Sequence, residues 1–138
     1  MELKEEFVRY PSGLSEEKLA KRFGLYWDND TQDWEFVVSD FGRISDFLKV
    51  YQQELLDDDD KFTLMGLIVS SFDDGISNFD QETAKYWNIC SNILETECYL
   101  HYSIMHYWSL LDEKDDQNVF DITPYMRKIW NTVKTKFI

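Results

Sequence analysis

From Ile76 to Thr123 the chain contains neither glycine nor proline. The whole sequence of 138 residues has only five Gly and two Pro. A sandwich or barrel needs many turns, and turns draw on these two residues. A chain so poor in them is mostly α.

Hydrophobic spacing places the helices. Ser15-Glu16-Glu17-Lys18 opens the first, with Ser15 as N-cap and two acids suited to the positive end of the helix dipole. Leu19 and Phe23 share a face, and Gly24 stops it. Asp40 to Leu56 reads as a second helix, with Ile44, Phe47, Leu48, Tyr51 and Leu55 on one side. Asp57-Asp58-Asp59-Asp60 interrupts the pattern, and Asp60 is placed to cap the next helix. That helix, Lys61 to about Phe72, is apolar nearly all round and is expected to be the buried centre. Beyond Gly75, Tyr86, Trp87, Cys90, Ile93 and Leu94 form one stripe; Leu100, Ile104, Tyr107, Trp108 and Leu111 form another. They fit two helices joined near Thr96, or one long bent helix. Thr123-Pro124 opens the last helix, with Thr as N-cap and Pro in first position.

One segment reads as β. Leu25-Tyr26-Trp27 and Trp34-Glu35-Phe36-Val37-Val38 flank a polar Asp/Asn/Thr turn, the pattern of a hairpin. The expected architecture is a single compact domain over residues 1–138. It is a bundle of about five or six helices with a small β-hairpin near residues 25–38.

Charge narrows the function. There are 27 Asp+Glu against 14 Lys+Arg, a net charge of −13. Residues 25–60 hold eleven acids against Arg43 and Lys49, whereas residues 121–138 are net +3. Disordered acidic chains lack aromatics, but here aromatics make up 17%, so the acids sit on a folded body. Such a field repels nucleic acid and anionic membranes and attracts basic partners. Tyr26, Trp27, Trp34 and Phe36 are interleaved with Asp28, Asp30, Asp33 and Glu35; acids beside aromatic anchors form a surface suited to a basic protein. Asp57, Asp58, Asp59 and Asp60 are a second candidate docking patch for Lys or Arg.

Catalytic and metal patterns are missing. Asp28, Asp30 and Gln32 imitate the start of a calcium loop, but Asp33 and Ser39 stand where it needs Gly and Glu. His101 and His106 diverge by ~140° on a helix, and the zinc-protease spacing is absent. Ser70-Ser71 lies in an apolar helix rather than on a glycine-flanked elbow. Cys90 and Cys98 on one helix are ~12 Å apart, too far for a disulfide, and read as small buried hydrophobes. No phosphate loop is present, and no cofactor is expected. The N-terminus lacks the apolar core of a secretory signal and no run is long enough to span a membrane, so a cytoplasmic location is expected.

The stretches KFTLMGLIVSSFDD, YWNICSNIL, IMHYWSLL and FDITPYMRKIW, in a compact acidic and aromatic-rich chain, give residues 40–138 a family likeness. The chain resembles small immunity proteins of bacterial contact-dependent inhibition and related polymorphic toxin systems. The resemblance implies a non-enzymatic protein that binds a toxin's catalytic domain, often a basic nuclease, and blocks its active site or substrate groove. A second class fits the same charge: an acidic DNA mimic that inhibits a nucleic-acid-binding protein. That class needs a long, regular array of acids.

Overall fold

The computed structural model describes residues 3–138. Seven α-helices and several single 3-10 turns occur among them, with no strand. Contacts divide the chain into two compact units, one spanning Tyr10–Gly75 and the other Ile76–Ile138 with the N-terminal residues through Arg9.

The Tyr10–Gly75 unit is built on α1 (Gly13–Phe23), α2 (Trp34–Val37), α3 (Ile44–Gln53) and α4 (Asp58–Gly75). Helix α4 is the centre: α1, α2 and α3 all pack on it. Phe62, Leu64, Met65, Leu67, Ile68, Val69 and Phe72 are all buried, as a helix apolar on every side must be. Helix α3 turns Ile44, Phe47, Leu48 and Tyr51 inward. Leu55, expected on the same face, lies past the end of α3 and is fully exposed.

Two caps in this unit differ from those expected. Helix α1 starts one turn earlier than Ser15. Ser12 is its cap and accepts from the Ser15 amide at 3.4 Å. Gly24 closes it in the left-handed region at φ 69°, where glycine carries no Cβ penalty. At the start of α4 the cap is Asp57, whose Oδ1 accepts from the Asp60 amide at 2.8 Å. Asp60 is inside the helix and buried.

The expected hairpin at residues 25–38 is replaced by a looped segment and α2. The reason is local. Asp28 folds the turn on itself, its Oδ1 accepting from the Asp30 amide at 2.9 Å and the Thr31 hydroxyl at 2.8 Å. Asp33 adopts a left-handed conformation at φ 53°. The chain then winds into one helical turn whose first residue, Trp34, is completely buried. Side chain–backbone bonds of Asp and Thr compete with a strand ladder, and here they win.

The second unit contains α5 (Gln81–Thr96), α6 (Tyr102–Ser109) and α7 (Thr123–Val133), with α7 packed on both others. Residues 76–111 therefore form two helices, separated by a turn after Thr96. Within their stripes Trp87, Cys90, Leu94, Ile104 and Trp108 are buried and Tyr107 is exposed. Phe7 packs on Tyr99, Tyr102 and Phe137, and the Lys4 amide donates to the Tyr102 hydroxyl at 2.8 Å. Pro124 stands in the first turn of α7 as expected, but Thr123 does not cap it. Its hydroxyl donates to the Trp108 carbonyl at 2.8 Å and ties the helix back to α6. The C-terminal end of α6 carries no glycine. Leu110 takes the left-handed position at φ 44°, and Arg127 donates to the carbonyls of Ser109, Leu110 and Glu113 at 2.7 to 2.9 Å.

Candidate functional site: an acidic surface with exposed aromatics

All the candidate partner-binding residues lie in the Tyr10–Gly75 unit. They do not form one class. Trp34 is core: no part of it is exposed, and its Nε1 donates to the Tyr26 carbonyl at 2.8 Å. This bond fixes Tyr26 beside α2. The Tyr26 side chain points outward, and the residue is 62% exposed. Trp27 is half-buried, its Nε1 donating to Glu16 Oε1 at 3.4 Å. Of the two tryptophans flanking the acidic turn, one therefore anchors the segment and the other is tied to α1 through Glu16.

The acids also differ in role. Asp28 organises the loop. Besides the Asp30 amide and Thr31 hydroxyl it accepts from the Tyr26 hydroxyl, and these donors, Tyr26 foremost, hold its carboxyl below the usual range. The same contact pushes the Tyr26 hydroxyl up. Asp30 and Asp33 are exposed. Glu35 is half-buried; burial pushes its carboxyl up, and Asp33 adds to the shift. Glu16 behaves alike. Burial raises it, the Trp27 indole partly offsets this, and Glu35 raises it further. Glu35 is thus a like charge close enough to Glu16 to oppose its ionisation.

The four consecutive aspartates split apart. Asp57 caps α4, and Asp58 and Asp59 are exposed in its first turn, where acids suit the helix dipole. Asp60 is only 3% exposed; it accepts from the Ser15 hydroxyl and from the Lys18 ammonium, both at 2.7 Å. Burial alone raises its carboxyl, but Lys18 and Ser15 outweigh it and hold the group below the ordinary value. Asp60 is therefore part of the interior, bound to α1. Ser15 and Lys18 reach Asp60 while Glu16 meets Trp27, so both acidic segments lie along α1.

Phe36, already placed among the acids by the sequence, and Val37, which the sequence did not single out, are 40% and 59% exposed on α2. In the expected strand, alternate residues face opposite sides and Phe36 shares a face with Trp34. A helical turn spreads these residues around an axis instead, burying Trp34 and leaving Phe36 and Val37 outside. Glu16 was read only as a first-turn acid; nothing in the sequence connects it to Trp27.

Among the described residues no three His, Cys, Asp or Glu side chains come together in a way that holds a metal ion. Cys90 and Cys98 are buried and not joined in a disulfide, and burial pushes the Cys90 thiol well up from its ordinary value, which disfavours its thiolate. No described helix is long and apolar enough to cross a membrane. No protein-family model, characterised protein or solved structure matches the chain.

Proposed function

We propose that this chain is a cytoplasmic neutralising protein of the immunity type. It binds a basic toxin domain, a nuclease above all, and acts by occupying it rather than by catalysis. The observation that carries this reading is the pairing of exposed Tyr26, Phe36 and Val37 with the exposed acids Asp30 and Asp33 on one short segment. Aromatic and aliphatic anchors supply buried area on binding, and the acids steer a cationic partner and exclude anionic ones. Asp58 and Asp59 extend the negative field.

The DNA-mimic alternative requires a regular array of exposed acids. Asp60 is withdrawn into the interior and Glu35 is half-buried, which shortens any such array and favours the aromatic-anchored reading.

The test is affinity capture from lysate of the native cell, washed at low and at moderate salt, followed by assay of the retained protein. A single basic protein kept at moderate salt, and inhibited by an equimolar amount of this chain, is the expected result. A salt-labile scatter of basic proteins, none of them inhibited, overturns it.

A further inference from the structure

We infer that the basic partner engages this surface through arginine in preference to lysine, with a guanidinium lying on the exposed face of Tyr26. The inference rests on the reading above and specifies its chemistry.

The Tyr26 ring is well exposed, yet it is not loose. Its backbone carbonyl is held by Trp34, and its hydroxyl donates to Asp28. Asp28 in turn is held by the Asp30 amide and the Thr31 hydroxyl. An aromatic face and a carboxylate are thus fixed side by side before any partner arrives. Little side-chain freedom remains to be lost on binding. Val37 is exposed on the neighbouring helical turn, and Asp30 and Asp33, both exposed, lie between Tyr26 and Val37 in the sequence.

A planar cation fits that arrangement better than a point charge does. Guanidinium is weakly hydrated, stacks on aromatic faces and still directs several N–H groups at carboxylates in its plane. Ammonium holds its water and has no face to stack. The same unit already builds this arrangement for its own use. The Arg22 guanidinium lies 5.9 Å from the Phe23 ring centre while its Nε and Nη2 donate to the Glu54 carboxylate at 2.5 to 3.1 Å. Arg43 lies 5.6 Å from the ring centres of both Phe23 and Phe47. At Tyr26 the ring and the carboxylate are in place, and no cation of the described residues covers that ring.

The experiment compares fluorescently labelled nona-arginine and nona-lysine peptides by anisotropy, at low and at moderate salt. The unmodified chain is expected to bind the arginine peptide about 5-fold more tightly. Arginine also pairs better with carboxylates generally, so the decisive measurement is the ratio in variants. Tyr26→Leu keeps apolar bulk without a π face and is expected to bring the ratio close to that of generic charge pairing. Tyr26→Phe keeps the face without the hydroxyl and is expected to preserve most of the preference. Thermal melts confirm that each variant is folded, and Tyr26→Thr stands in if the leucine variant is not. Equal affinity for the two peptides, or a ratio unchanged in Tyr26→Leu, overturns the arginine inference and leaves the basic-partner reading in place. Failure of both peptides to bind at low salt overturns both.

Discussion

The indole Nε1 of Trp34 donates to the carbonyl oxygen of Tyr26 across the acidic loop, at 2.8 Å. A side chain of the core and the backbone of an exposed residue are thereby locked together. The surface around Tyr26 inherits its shape from a residue no partner can touch. Trp34→Ala is expected to cost about 3–5 kcal/mol by cavity formation. It is also expected to release the loop, seen as faster amide exchange across residues 26–33. A melt lowered with no change in exchange there separates simple loss of packing from loss of the tie.

The run Asp57 to Asp60 looks uniform and is not. Asp60→Ala leaves the buried Ser15 hydroxyl without its acceptor and is expected to cost about 2–3 kcal/mol. Asp58→Ala, exposed at the helix start, is expected to cost under about 1 kcal/mol. Denaturant unfolding of the two variants checks the contrast. The Asp60 effect has a pH signature. Its folded carboxyl is held below the ordinary value of 3.8, so its stabilisation is complete above that pH. The gap between parent and Asp60→Asn is expected to hold at neutral pH and to close as acid is added below pH 3.8.

Glu35 carries the opposite sign. Burial raises its carboxyl above the ordinary 4.5, so the folded chain holds a proton more tightly than the unfolded chain does. The ionised group therefore opposes folding at neutral pH, and the penalty fades as pH falls through the raised value toward 4.5. Glu35→Gln is expected to raise the melting temperature at pH 7 and to make no difference near pH 4. A variant that melts lower than the parent at pH 7 refutes this.

Gly75 ends α4 against the ring of Phe41. A Cβ built at Gly75 falls 2.4 to 2.7 Å from three atoms of that ring. Gly75→Ala is expected to destabilise by about 1–3 kcal/mol through overpacking, despite alanine's better helix propensity. Gly66, also in α4, has open space around the same position, so Gly66→Ala is the control and is expected to be neutral or stabilising.

The acids suited to testing association are those with no structural duty. Asp30 and Asp33 meet that condition, and Asp28 does not. Asn tolerates the left-handed conformation at position 33. The double variant Asp30→Lys, Asp33→Asn is expected to keep its fold. With a basic partner it should associate about 10-fold more slowly at low salt, with a flatter salt dependence. An unchanged on-rate excludes steering by this loop.

The helices were legible because their signal is periodic and long. Ile44, Phe47, Leu48 and Tyr51 repeat at three and four, and the α4 segment is apolar on all sides; packing could only follow. The segment from Leu25 to Val38 was not legible, because its outcome depends on short-range competition. Aromatic and β-branched residues favour a strand there. Asp28, Thr31 and a left-handed Asp33 close the turn with their own bonds and send Trp34 into the core. For the candidate site, sequence located the segment but not the division of labour within it. Whether an acid is surface or interior turned on partners distant in the chain, Ser15 and Lys18 for Asp60. No local pattern announces such pairs.

Cys90 and Cys98 are both buried, and both belong to the Ile76–Ile138 unit. A thiol-reactive dye added to the native chain can therefore be consumed only when that unit opens. The Tyr10–Gly75 unit contains no cysteine and is silent to the same reagent. The sequence thus carries a reporter restricted to one half of the molecule. Labelling rates read the breathing of that half in the unmodified chain, while the half bearing the acidic surface is free to accept an engineered cysteine as an independent second clock.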